Sequence, residues 1–358
     1  MEYEHYRPLH LADVQERPRI HRAWERIRHK QAPWVVDFFS EVVRNIAFIQ
    51  GPPLTEPSFI FKLGVFLVSF AGVGATASWV LGNLMQIPNL GTHQTVGLAY
   101  GLGVAMAIIV CSPQSGGHLS PAVTITFVIF QKFPAKNAIR YIVAQILGGY
   151  LGCLFVYLQW KHQITEIENS LIANGTLDAI QFTPNGPGGV IALYAAPGAS
   201  LGLVFLNEFV CDFVIGIITW TAVDPTNHLV PLSSVPWVIG LSYTLAIWGF
   251  SPVGVILNGG RDIGGRLVAM SLWGLKASGG RFAAIAALTN IPATVLAYVV
   301  YEIFIADTAR VVQPSHRVML ECDKARMEYR RNQDKPGDFP SSPTSDILEK
   351  GQLARTES

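Results

Sequence analysis

Full charges are missing from long stretches of this sequence of 358 residues, and that segregation limits its folds more than any other feature. Between residues 58 and 110 the only full charge is Lys62, and between 142 and 160 there is none. Residues 201–223 carry two, Glu208 and Asp212, while 235–257 and 282–301 carry none. A helix needs about 20 apolar residues to cross the hydrocarbon core of a bilayer. The first stretch is too long for one crossing, and a polar break over 82–94 divides it. Six spans follow, over about 59–81, 95–111, 137–160, 201–223, 235–252 and 282–305. A soluble fold would need charged outer faces on some of these helices. Charged residues make up 14% of the chain, against about 25% in soluble domains. A net charge of +1 excludes a nucleic-acid binder driven by a basic face, and four cysteines exclude a disulfide scaffold.

Residues 1–33 are rich in Arg and His and lack an uninterrupted apolar run, so they do not read as a signal peptide. The organisation is an N-terminal region over 1–57, a membrane domain over 58–305 and a disordered polar tail over 306–358. Apolar residues at helical spacing predict an amphipathic helix over about 34–50. Eight Lys and Arg precede Ser58 and nine follow Ile305, whereas residues 161–199 carry only Lys161. The positive-inside rule therefore puts both termini in the cytoplasm and the connection between spans 3 and 4 outside. The plasma membrane is the expected location, with an intracellular membrane as the other option. Asn174-Gly175-Thr176 in that connection is a candidate glycosylation site.

Two short segments are too brief to cross. Ser115-Gly116-Gly117-His118-Leu119-Ser120-Pro121-Ala122-Val123-Thr124 lies between spans 2 and 3. Ser120 followed by Pro121 is an N-cap with proline at the first helical position, which predicts a half-helix over about 121–131. Between spans 5 and 6 stands Asn258-Gly259-Gly260-Arg261-Asp262. Asn258 is again an N-cap residue, and a second half-helix is expected over about 259–270. Each segment follows the second span of a three-span half. An odd number of spans per half inverts the halves, and inverted repeats with broken helices meeting at the midplane are a transport architecture.

His118-Leu119-Ser120-Pro121-Ala122-Val123-Thr124 resembles the first signature of the major intrinsic proteins, the aquaporins and aquaglyceroporins, with Ser120 where that family has Asn. Asn258-Gly259-Gly260-Arg261-Asp262 resembles the second, with two glycines in place of Pro and Ala. Leu98-Ala99-Tyr100-Gly101-Leu102-Gly103, Gln145 with Gly148, and Asn207-Glu208-Phe209 are similar to the family's second, third and fourth helices. The resemblance covers about residues 58–305. It implies an all-α membrane fold of six spans and two re-entrant half-helices, assembled as a homotetramer with one pore per subunit.

The resemblance also implies a passive channel in the lipid bilayer for water and small uncharged solutes, glycerol and hydrogen peroxide among them. A selectivity filter falls on Tyr100, Ala246, Val255 and Arg261. The first half-helix signature is Ser120, Pro121 and Ala122, and the second is Asn258, Gly259 and Gly260. His118, Glu208 and Asp262 support the loops. The first-half counterpart of Glu208 falls on Lys62, a departure from the family pattern. Two half-helix N-termini, each worth roughly half a positive charge, would repel cations together with Arg261. Two glycines cost helix stability, about 1 kcal/mol each relative to Ala, so the second half-helix is expected to be weakened. No catalytic residue, cofactor or metal site is expected, since no Cys, His, Asp or Glu group has ligand spacing and the Gly-rich stretches lack a phosphate loop's Lys. The alternative is a non-conducting scaffold or regulator that keeps the fold.

Overall fold

The computed structural model describes residues 61–307 and 309–333, and within them the secondary structure is helical throughout. The expected amphipathic helix over 34–50 lies outside the described residues, as does the side chain of Lys62. The first half contains α1 (Phe61–Leu84), α2 (His93–Ser115), the short α3 (Pro121–Phe130) and α4 (Ala135–Ala173). Two small helices, α5 (Leu177–Ile180) and α6 (Pro187–Ile191), lead to the second half. That half contains α7 (Leu201–Val223), α8 (Val235–Phe250), α9 (Gly259–Trp273), α10 (Gly280–Leu288) and α11 (Asn290–Phe304).

Local chemistry sets the ends of these helices. Thr92 and Thr95 form a reciprocal capping box that starts α2, and Gly116 closes it in the left-handed conformation at φ 73°. Pro121 and Pro236 stand in the first turns of α3 and α8, where a missing N–H costs nothing. The last span is expected as one helix over 282–305. It is broken at Thr289 instead. Pro292 explains the break, because it has no N–H for the carbonyl four residues back.

Five helical segments are long and apolar enough to cross a bilayer: α1, α2, α4, α7 and the α10–α11 run. The sixth span is α8, with 16 residues and about 24 Å of rise, continued by a 3₁₀ turn over Ser251–Val253. α4 departs most from expectation. Its 39 residues give about 58 Å, twice the thickness of the hydrocarbon. Residues 161–173, read from sequence as connection, continue the helix because Ile164, Ile167 and Leu171 share a buried stripe. The tail also differs: Pro314–Gln333 forms a helix, α12, where a disordered tail is expected. Its Ala, Glu, Lys, Arg and Met residues are good helix formers.

The halves pack as an inverted pair. α1 lies on α4 and α7 on α11, the first and last helices of each half. α2 crosses to its counterpart α8, α3 rests on α11 of the other half, and α9 rests on α4. Each half-helix is therefore held by a span of the opposite repeat. Leu102, Met106, Ile109, Val143, Leu206, Val210 and Val214 are all exposed on the outer faces of their helices. A surface of that kind suits a lipid solvent and not water.

Candidate pore and filter

The two half-helices meet at their N-termini. Ser120 is extended and its Oγ accepts from the Ala122 amide at 3.3 Å. Asn258 caps α9 more fully, with Oδ1 accepting from the amides of Gly260 at 3.0 Å and Arg261 at 3.2 Å. Its Nδ2 donates across the junction to the Leu119 carbonyl at 2.7 Å. That bond ties the second signature to the loop of the first. It also leaves one amide hydrogen and the Ser120 hydroxyl as side-chain groups at the junction.

The Gly259-Gly260 pair does not fray the second half-helix, which runs without a break from Gly259 to Trp273. Space explains the first glycine. A Cβ there would stand 2.7 Å from the Ala287 carbonyl, at the end of α10 beside the break in the last span. At Gly260 a Cβ would lie 3.2 Å from Pro121 Cδ and from Gln145 Cβ. Gly149 of α4 faces the same helix, where a Cβ would stand 2.7 Å from the Gly260 carbonyl and 3.0 Å from Arg261 Cα. The loss of helix propensity is offset by close backbone packing and a doubly bonded cap.

The loop before α9 is held from α7. The buried carboxylate of Glu208 accepts from the amides of Ile256 and Leu257, both at 2.7 Å. Leu257 sits at φ 64°, a strained position for a branched side chain that the carboxylate helps to hold. Asn207 donates to the carbonyls of Gly254 at 3.0 Å and Phe250 at 3.2 Å. Asp262 forms a buried two-pronged pair with Arg266, at 2.7 Å and 3.1 Å. Arg266 also donates to the carbonyls of Leu193 at 3.0 Å and Ser278 at 3.1 Å. It thereby joins α9 to the connection before α7 and to the short connection before α10.

Among the described residues the first loop is held by neutral groups. Gln145 Nε2 donates to the His118 carbonyl and, at 3.0 Å, to Thr124 Oγ1. The His118 ring stacks on Phe127 with centroids 4.2 Å apart and lies near Phe133 and Tyr141. A histidine enclosed by three aromatic rings is part of the packing that shapes this loop. Gln145 and Arg266 were missed as site residues. The usable signals were the amide in a span otherwise free of polar side chains at that level, and the spacing of four residues from Asp262.

The four positions expected to form a filter come together. Tyr100, Ala246 and Val255 share one apolar cluster with Ile215 and Leu257. Arg261 Nε donates to the Tyr100 hydroxyl at 3.1 Å, and the guanidinium lies 5.9 Å from the tyrosine ring centre. The arginine is 1% exposed, and its two terminal nitrogens have no hydrogen-bond partner among the described residues. The tyrosine hydroxyl thus sits on the arginine, and four N–H bonds of the guanidinium are unclaimed among the described residues. Asn174 is exposed at the C-terminal cap of α4.

Comparison with known proteins agrees with this geometry. The sequence model of the family described as "Major intrinsic protein" matches residues 60–283. The chain belongs to the major intrinsic protein family. Aquaporin-3 of Laccaria bicolor is 44% identical over 332 residues, covering 92% of this chain and 94% of that protein. The glycerol uptake facilitator protein of Haemophilus influenzae is 29% identical over 223 residues, or 61% of this chain and 81% of its own. Among solved structures, the aquaglyceroporin from Plasmodium falciparum matches 76% of this chain and 97% of its own with a TM-score of 0.57. At 23% sequence identity that likeness speaks to the fold. As a member of this family the chain is an integral, multi-pass membrane protein.

Proposed function

We propose that this protein is a passive channel for water and small neutral solutes, glycerol and hydrogen peroxide included. The observation that carries the reading is the meeting of two half-helix N-termini, capped by Ser120 and Asn258, beside the buried Arg261. Their summed dipoles and the arginine charge oppose any cation, a travelling proton included. Uncharged solutes cross by exchanging hydrogen bonds with the Asn258 amide, the Ser120 hydroxyl and the arginine. Ala246 leaves room in the ring for a carbon backbone, while Tyr100 and Val255 supply an apolar wall. The relatives named as an aquaporin and as a glycerol uptake facilitator support water and glycerol as solutes.

The working unit in this reading is a homotetramer in the plasma membrane, with both termini cytoplasmic and Asn174 outside as a glycan acceptor. The second reading, a non-conducting scaffold, draws on the Tyr100–Arg261 contact. Stopped-flow swelling of liposomes containing the full chain separates the two. Water and glycerol flux above that of empty liposomes supports the channel, and rates equal to empty liposomes support the scaffold. Ala246→His tests the filter assignment in the same assay. The glycerol-to-water ratio falls on this reading, and an unchanged ratio removes Ala246 from the filter.

A further inference from the structure

Asp212 is the second charge of the 201–223 stretch, and no loop uses it. It lies one turn after Glu208 on α7 and is 4% exposed. Glu208 accepts from the amides of Ile256 and Leu257 and shares a side-chain hydrogen bond with the Asp212 carboxyl, whereas Asp212 Oδ2 has no donor among the described residues. The carboxyl lines a cavity of about 20 Å³ together with Ser120, Val123, Tyr243, Leu257 and Thr294. That volume holds one water molecule or one hydroxyl group. The cavity touches both half-helix junctions, through Ser120 on one side and Leu257, the residue before Asn258, on the other.

A buried polar atom without a partner is costly. An intramembrane acid with one oxygen left unpaired in a cavity is read as a functional position. The rest of the junction is rich in donors: the Asn258 amide, the Arg261 guanidinium and the first N–H groups of two helices. Such a lining suits water, which it grips by oxygen. A polyol carries a hydroxyl on every carbon and needs an acceptor for each hydrogen it turns to the wall. A carboxyl has an acceptor oxygen in either protonation state.

We propose that Asp212 is a specificity-determining acceptor of the pore, taking a hydrogen bond from a hydroxyl of a polyol as it passes the Ser120–Asn258 junction. This rests on the reading of the chain as a solute channel. The test uses the full chain in liposomes, with water and glycerol permeabilities measured on wild type, Asp212→Asn and Asp212→Val. Asparagine keeps an acceptor oxygen in the same shape, and valine removes it. The glycerol-to-water ratio is expected to stay within about two-fold of wild type for asparagine. For valine it is expected to fall about five-fold, the effect of one net hydrogen bond. Should the valine variant lose water flux as well, Asp212→Ala makes the same comparison without added bulk.

An unchanged ratio in the valine or alanine variant overturns the proposal. So does an equal fall in the asparagine variant, or loss of all flux in every variant, which would make the residue structural. If wild type passes water but no glycerol, the solute reading fails together with the proposal, and that is visible in the wild-type measurement alone. If wild type conducts glycerol and the variants match it, only the role of Asp212 falls.

Discussion

The two re-entrant loops occupy equivalent places in the inverted halves, yet they are held by different chemistry. The second is anchored by buried charge: Glu208 on two amides of the loop, and the Asp262–Arg266 pair with its two carbonyls. The first is anchored by a neutral amide, Gln145, and by aromatic rings around His118. The caps follow the same division, with three hydrogen bonds on Asn258 and one accepted by the Ser120 hydroxyl. A charged hydrogen bond is worth roughly twice a neutral one. The loop that carries Arg261 is therefore the more strongly bonded of the two, and the other rests more on packing.

That contrast gives an order of effects on thermal unfolding of the purified protein in detergent. Glu208→Leu leaves two buried amides unpaired and is expected to cost about 3–6 kcal/mol, at about 1.5–3 for each charged bond. Water flux falls below the level of detection with it. Arg266→Met leaves Asp262 as an uncompensated buried charge, at about 3–5 kcal/mol. Gly259→Ala drives a methyl onto the Ala287 carbonyl, and overpacking against backbone costs about 1–3 kcal/mol. Gln145→Leu removes neutral hydrogen bonds from the first loop and is expected to cost about 1–2 kcal/mol. If Gln145→Leu destabilises as much as Glu208→Leu, the two loops are equally held and the contrast is lost. A still smaller cost for Gln145→Leu would move the support of the first loop onto the His118 cage alone.

Charge segregation made much of the architecture readable. α7 coincides with its stretch of 201–223, Ser120 stands where a polar residue precedes a short apolar run, and Asn258 stands at the start of the second half-helix. What hydropathy reports, however, is contact with lipid and not the length of a helix. The polar turns of α4 beyond residue 160 were invisible for that reason, although Ile164, Ile167 and Leu171 already carried the period. The helix over Pro314–Gln333 was hidden in the same way, since it has helix-forming residues without an apolar stripe of transmembrane length. Within the site, the filter positions follow from resemblance, but the Tyr100–Arg261 bond spans 161 residues of sequence. The reach of Arg266 to Leu193 spans 73. Such pairings are set by how the two halves fold onto each other, and no local pattern encodes them. The glycine pair was misjudged because propensity counts only the helix it belongs to, whereas the deciding neighbours were Ala287 and Pro121.

The unbroken course of α4 has a mechanical side. From Gly149, whose missing side chain lets the helix lie against Arg261 Cα, to Ala173 at its end is about 36 Å of continuous rise. That rod contains no proline after residue 134 and no 3₁₀ turn along its length. A stiff arm of this kind acts as a lever with its fulcrum beside the backbone of Arg261. Torque applied to the tip near Asn174 is delivered to the backbone that carries the guanidinium, with no joint between them to absorb it.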